Sequence, residues 1–141
     1  MFTKRQAKTF FLGGTAVFFL IFLVFTYDSL TNGIPRNTHP EGITPQVELG
    51  RQLWDKNNCM GCHTLMGEGA YYAPELTRVY SRRGPDYIKA ALNAPNGWAP
   101  RGRHMVEYHF TPEETEALVS FFKWIDKAYL NGFPPKPNLK Q

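Results

Sequence analysis

Two cysteines and a histidine lie in one short segment of this 141-residue chain, Cys59-Met60-Gly61-Cys62-His63. The pattern Cys-x-x-Cys-His is typical of c-type haem attachment, because each thiol can add across one vinyl group of the porphyrin and the adjacent imidazole can bind the iron. We therefore expect Cys59 and Cys62 to hold one covalent haem c and His63 to be an axial iron ligand. The chain has 2 cysteines, so this site leaves none for a disulfide or a four-cysteine zinc site.

Other uses of paired cysteines stay open at this point. A dithiol redox site, or a zinc-dependent interaction module built from Cys59, Cys62 and two histidines, would share the spacing. The sequence has no second cysteine pair and no thioredoxin-like βαβ pattern, and this favours the haem. A pyridine haemochrome test that found no haem would favour zinc.

The sixth position on the iron decides between electron transfer and gas binding. A thioether there raises the reduction potential and closes the iron to small ligands, whereas an open position suits a haem-based gas sensor. Met105 lies in a loop before the last helix, where the chain can cross the distal side, so we predict that it is the second axial ligand. His104 and His109 are the alternatives and would give a bis-histidine site of lower potential. Arg101, Arg103 and Trp98 lie in the same loop and are candidate partners for the haem propionates.

Helical signals flank the haem motif on both sides. Thr44 as N-cap and Pro45 at the first position predict a helix that ends at Asn57-Asn58, with Gly50 on its apolar face allowing an aromatic of another helix to approach. Near the end of the chain, Thr111, Pro112 and Glu114 form a capping-box sequence. The second helix is predicted to stop at 131–132, and its apolar face is predicted to contain Leu118, Phe121, Phe122 and Ile125.

Between these helices we expect a structured loop at 64–83, a short helix at 85–92 and a second loop at 93–110. Class I monohaem cytochromes c have this same order of elements: a helix, the haem motif, loops, a short helix, a ligand loop and a terminal helix. The predicted fold class is therefore all-α, with one transmembrane helix followed by a class I cytochrome c domain at 45–131 and a tail at 132–141.

An uncharged apolar stretch of 18 residues occupies 10–27. A membrane helix needs about 20 residues, and a cleaved secretory signal would have a shorter apolar core and a small-residue exit site, so we predict a retained anchor. The basic residues within 1–9 are expected to stay in the cytoplasm, which sends the rest of the chain to the periplasm of a bacterial inner membrane. Residues 28–44 contain Pro and Gly among polar residues and are predicted to be a connector.

The net charge of +4 does not indicate nucleic-acid binding. Without Lys4, Arg5 and Lys8 the chain has 13 basic and 12 acidic residues. No basic run with interleaved aromatics is present, so we expect no nucleic-acid partner.

Several longer segments resemble the cytochrome c subunit of bacterial nitric oxide reductase, from the anchor to nearly the last residue. The most specific is GCHTLMGEGAYYAPEL at 61–76, and the others are RRG at 82–84, RHM at 103–105, FFKW at 121–124 and NGFPP at 131–135. The family usually has a proline after the ligating methionine, whereas Val106 follows Met105 here.

The resemblance implies a non-catalytic electron-transfer subunit that forms a heterodimer with a large polytopic catalytic subunit, which reduces NO to N2O. It also implies electrons from a soluble donor, either a small cytochrome c or a blue-copper protein. An interfacial calcium ion is implied at the backbone carbonyl of Gly69 and the side chain of Tyr71, although on composition alone Glu68 is the more natural ligand. A free membrane-tethered cytochrome and the monohaem subunit of a haem-copper oxidase remain alternatives.

Overall fold

The computed structural model describes residues 3–99 and 102–134. These residues form six α-helices and one very short β-hairpin, which confirms the predicted all-α class. The chain forms two compact units with the boundary between Asn37 and Thr38.

The first unit contains a helix that extends well beyond the predicted anchor. Helix α1 covers Lys4–Asp28, a π-helical turn covers Ser29–Gly33, and α2 continues from Ile34 to Thr38. The apolar stretch at 10–27 would be about 27 Å long at 1.5 Å per residue, close to the roughly 30 Å of a bilayer core. By length and composition, this helix is able to cross a membrane.

The connector predicted at 28–44 is therefore helical as far as Thr38, which corrects the sequence-based expectation. Side chains in this region reinforce the helix, since the Thr31 hydroxyl donates to the Tyr27 carbonyl at 2.8 Å and Asn32 donates to the Asp28 carboxylate at 2.9 Å. The widened turn ends at Gly33, two residues before Pro35, whose ring would clash with the carbonyl four residues earlier in a regular α-helix.

The second unit is organised around two crossing helices, α3 at Pro45–Lys56 and α6 at Pro112–Ile125. Both begin at the predicted caps: the Thr44 hydroxyl accepts from Val47 N, and Thr111 forms the capping box with Glu114. A Cβ built on Gly50 would lie 2.2 Å from the Ala117 carbonyl oxygen and 2.7 Å from Phe121 Cβ. Only glycine permits this close crossing, as predicted.

Aromatic rings fill the crossing between α3 and α6. Trp54, Phe121 and Phe122 are each at most 4% exposed, and the Trp54 and Phe122 rings meet edge to face at 5.7 Å. Trp124 is only partly buried; its indole N–H donates to the His39 carbonyl at 3.1 Å. The predicted apolar face of Phe121 and Phe122 is confirmed, and Trp124 packs against the edge of this core.

The middle of the unit contains more structure than the predicted loop at 64–83. Strands β1 (Thr64–Leu65) and β2 (Glu68–Gly69) pair antiparallel, and helix α4 covers Val79–Arg83. Helix α5 covers Pro85–Leu92, as predicted. In the described part of 93–110, the only regular pairing is a single bridge between Trp98 and Met105.

Helix α6 ends at Ile125, before the predicted stop at 131–132. Arg78 explains the early end, because its guanidinium donates to the carbonyls of Asp126 and Ala128. The Ser81 hydroxyl also donates to the Asp126 carboxylate at 2.8 Å. Carbonyls that would otherwise continue the helix are thus bonded to Arg78, the residue before α4, and the Asp126 carboxylate is bonded to α4 itself.

Candidate haem site

A cavity of about 680 Å³ opens beside the haem motif. This volume lies within the range of about 300–1,000 Å³ typical of cofactor sites. Cys59, Cys62, His63 and Met105 all line it, although Met105 is far from the other three in sequence. Apolar side chains form most of the remaining wall, including Trp54 of α3, Ile88 of α5, and Leu118 and Phe122 of α6.

His63 is oriented by a hydrogen bond on the ring atom that would not bind iron. Its Nδ1 lies 2.8 Å from the Pro74 carbonyl oxygen, which can only accept, so Nδ1 carries the proton of the neutral ring and Nε2 keeps its lone pair. Burial lowers the pKa of His63, against the opposing effect of this hydrogen bond. The ring is therefore held in the neutral form that a metal requires.

The two cysteines lie on one tight turn. A 3-10 turn covers Cys59–Gly61, and the amides of Cys62 and His63 donate to the Cys59 carbonyl at 3.1 and 2.9 Å. Burial and, to a smaller extent, the charge of the neighbouring Cys62 raise the pKa of the Cys59 thiol to about 11. In the haem-free chain this thiol is protonated at neutral pH.

Met105 is fixed by backbone pairing with Trp98. Met105 N donates to the Trp98 carbonyl at 2.9 Å, and Trp98 N donates to the Met105 carbonyl at 3.2 Å. A Cβ on Gly97 would lie 2.0 Å from the Met105 carbonyl oxygen, and Gly97 has φ +79°. A glycine at 97 is thus needed for this pairing.

The two histidines considered as alternative ligands have other environments. His104 lines the cavity, but its Nε2 lies 2.7 Å from the Asn96 carbonyl oxygen. The His109 side chain is 87% exposed and does not line the cavity. The arrangement favours Met105 over either histidine.

The predicted propionate partners have different positions. Trp98 and Arg103 line the cavity, but the Arg103 guanidinium donates to the carbonyls of Tyr71 and Tyr72. Arg101 lies outside the described residues. Sequence reasoning missed Arg82 and Arg83, which also line the cavity and reach it from the last turn of α4.

The Arg82 and Arg83 side chains are partly engaged by the protein. Arg82 donates to the Glu75 carbonyl at 2.6 Å, and the Arg83 guanidinium lies 5.2 Å from the centre of the Tyr87 ring. Among the described residues, no aspartate or glutamate lines the cavity. The wall is therefore suited to a ligand that is largely apolar and carries negative charge. Two adjacent arginines just before the predicted helix at 85–92 were the available sequence signal.

The residues present fit a haem c. The cavity wall supplies two free thiols on one turn, an imidazole with an available Nε2 and a thioether, and Trp54, which lines the cavity, has a buried indole N–H without a partner. Within 3–99 and 102–134, no group of three or more His, Cys, Asp or Glu side chains is placed to hold a metal ion. This counts against the zinc module.

The segment implied to bind calcium lies at the surface beside the haem motif. Gly69 has φ +118°, and a Cβ there would lie 2.3 Å from the His63 carbonyl oxygen. Tyr71 is 81% exposed, and Glu68 is also exposed. The structure thus brings Gly69 close to the iron-ligand segment and presents the Tyr71 side chain outward.

Comparison with known proteins gives consistent matches. A family model described as cytochrome c matches residues 47–126. The chain is 40% identical over 143 residues to the C subunit of nitric oxide reductase from Halomonas halodenitrificans, covering 96% of this chain and 95% of that protein. It is 37% identical over 139 residues to the C subunit of the same enzyme from Stutzerimonas stutzeri, covering 95% and 94%. Cytochrome c oxidase subunit 2 of Alkalihalophilus pseudofirmus is 26% identical over 100 residues, covering 59% of this chain and 29% of that protein.

Proposed function

Because the chain belongs to the cytochrome c family, and within it to the C subunits of nitric oxide reductase, we propose that it relays single electrons from a soluble donor to a catalytic subunit that reduces NO to N2O. The observation that carries the proposal is the position of His63 and Met105 in the wall of one cavity, together with both cysteines. Bound there, a haem supplies a one-electron Fe(III)/Fe(II) couple.

The chain's own residues hold and enclose that group. Cys59 and Cys62 would form its covalent links, and His63 and Met105 would ligate its iron. Two side-chain ligands would leave no place for a substrate on the metal, so bond-making would belong to the partner subunit. The hydrogen bond from His63 Nδ1 to the Pro74 carbonyl would keep the imidazole orientation fixed.

We place the chain in a bacterial inner membrane, with α1 as anchor and the cytochrome unit in the periplasm. The support is the long apolar helix and the basic residues at its amino-terminal end. The division of the chain into cytoplasmic end, anchor, connector, cytochrome domain and tail stays a prediction, with the connector helical as far as Thr38.

We also propose that the segment around Gly69 and Tyr71 faces the catalytic subunit and contributes a carbonyl and a phenol oxygen to a shared calcium ion. The exposure of Tyr71 supports this, because a ligand to an interfacial ion must be free to reach across the interface. Chelation of the ion is expected to weaken copurification of the two subunits.

The donor is expected to carry negative charge near its docking surface. The exposed residues Arg82, Arg83 and Arg103 line the cavity, and charge of one sign speeds the encounter with a partner of opposite sign. Raising the salt concentration is therefore predicted to slow reduction by an acidic donor, as measured by stopped-flow absorbance. A rate that does not change with salt would contradict this charge pattern.

The decisive experiment is purification of the tagged full-length chain from its membrane in detergent. We expect one haem c per chain in a pyridine haemochrome assay, a copurified large subunit and NO consumption by the complex. A chain without haem would exclude electron transfer. Ready CO binding by the reduced protein would favour a gas sensor, and a haem-bearing chain without any partner would favour a free tethered cytochrome.

A further inference from the structure

Arg103 lies two residues before Met105 and forms a link to a distant segment of the chain. Its guanidinium donates to the Tyr72 carbonyl and, at 3.4 Å, to the Tyr71 carbonyl. It also lies 5.6 Å from the centre of the Tyr72 ring. Both carbonyls accept from the same nitrogen, Nη1, while the planar guanidinium lies over the Tyr72 ring. The compact ammonium of lysine has no planar group to stack on that ring.

A second bond joins the same two segments. The backbone N–H of His104 donates to the Tyr72 hydroxyl at 3.3 Å. The loop at 93–110, called the methionine loop below, is also held internally by the backbone pair between Trp98 and Met105. Residues 103–105 are thus fixed by Trp98 within their own loop and by Tyr71 and Tyr72 outside it.

The segment at 70–74 also holds the proximal side of the cavity. Ala70 N donates to the Met60 carbonyl at 2.9 Å, and Ala73 N donates to the Cys62 carbonyl at 2.8 Å. The Pro74 carbonyl accepts from His63 Nδ1 at 2.8 Å. One five-residue segment therefore contacts the haem motif on one side and the methionine loop on the other.

We propose that Arg103 is a positioning residue for Met105, and that it locks the methionine loop to segment 70–74 so that one segment sets both iron ligands. The propionate contact that the sequence predicts for Arg103 stays a prediction. The inference rests on the proposed function, because it requires His63 and Met105 to ligate a haem. It further implies that any event at the exposed Tyr71 side chain is transmitted to both ligands.

The test compares variants of the full-length protein with the wild type. In Arg103→Lys and Arg103→Gln we expect a weaker methionine-to-iron absorption band at the red end of the oxidised spectrum, and roughly tenfold greater CO binding by the reduced protein. If the preference of the thioether for ferrous over ferric iron falls tenfold, the reduction potential falls by about 59 mV.

The matched control is Arg83→Gln, which removes a positive charge from the same cavity wall without a bond to segment 70–74. The methionine band is expected to persist in that variant. The proposal would be overturned if the methionine band stayed intact in Arg103→Lys and the reduction potential fell equally in Arg103→Gln and Arg83→Gln. That result would show that only the positive charge matters.

Two further measurements keep the outcome decisive. Should the Arg103 variants not fold, Tyr72→Phe removes only the hydroxyl that accepts from His104 N, and it is expected to give a smaller change of the same kind. An unchanged band and potential in Tyr72→Phe would then count against the link.

Haem content separates the two proposals. Wild-type protein without haem refutes the proposed function, whereas haem-bearing Arg103 variants identical to wild type refute only this inference.

Discussion

The helix pair α3 and α6 and the loop at 93–110 both contribute to the candidate haem cavity, but different forces hold them in place. The helices bury apolar side chains against each other, with Leu118 at 1% and Trp54 at 3% exposure. The loop has few buried apolar side chains and depends on hydrogen bonds, such as the Trp98–Met105 pair and the bonds from Arg103. The hydrophobic effect that favours burial has no preferred direction, whereas a hydrogen bond fixes the distance and angle between two particular atoms.

This difference separates two kinds of mutational effect. Changes in the helix pair or in the haem motif that follows α3 should alter haem retention or the free energy of unfolding. Changes in the loop should leave the haem attached and alter what binds its iron. Four variants test that separation.

The largest effect is expected from the double variant Cys59→Ala/Cys62→Ala. Without either thiol, no thioether can form, and covalent haem should be lost completely. Haem staining after denaturing electrophoresis measures this, with the intact mass of the chain as a second readout. Haem that remained bound after denaturation would contradict the predicted attachment.

Met105→Leu tests the loop and should separate ligation from attachment. We expect full covalent haem content, loss of the methionine band and ready CO binding by the reduced protein, because leucine offers no lone pair to iron. His109→Ala is the matched control, since the His109 side chain is 87% exposed and away from the cavity. If His109→Ala lost the normal spectrum and Met105→Leu kept it, the ligand assignment would be wrong.

Gly50→Ala tests the close crossing of the helices. Replacing glycine by alanine inside a helix normally stabilises it by about 0.5–1 kcal/mol. Here the added methyl would lie 2.2 Å from the Ala117 carbonyl oxygen, so overpacking should reverse the sign and cost about 1–3 kcal/mol. Denaturant unfolding followed by circular dichroism measures the change, and a stabilised variant would show that the crossing relaxes easily.

Glu48→Gln should give the smallest effect, confined to the exposed side of α3. Hydrogen bonding from Arg51 and, to a smaller extent, from Gln52 lowers the pKa of Glu48 from 4.5 to about 2. Since the folded-state pKa is depressed, the contribution to stability is present above about pH 4.5 and is lost as the pH falls towards 2. The difference in Tm between wild type and variant should be small because the pair is exposed. It should disappear over that pH range, and a difference that did not change with pH would contradict the assignment.

Local signals were sufficient for much of this protein. The caps at Thr44 and Thr111, the apolar face of α6 and the haem motif all depend on residues close in sequence, or on patterns with a fixed period. These features follow from backbone geometry and side-chain chemistry that act over a few residues. The same reasoning singled out Met105, because its loop precedes the last helix.

Tertiary contacts decided the remainder. Helix α6 ends at Ile125 because Arg78, far away in sequence, bonds to the carbonyls that follow. The sequence identified Arg103 as a cation near the haem but could not show that the Tyr71 and Tyr72 carbonyls engage it. Arg82 and Arg83 reach the cavity only because α4 packs beside it. The sequence determines which groups a side chain offers, while the partner that each group meets depends on how the chain folds back on itself.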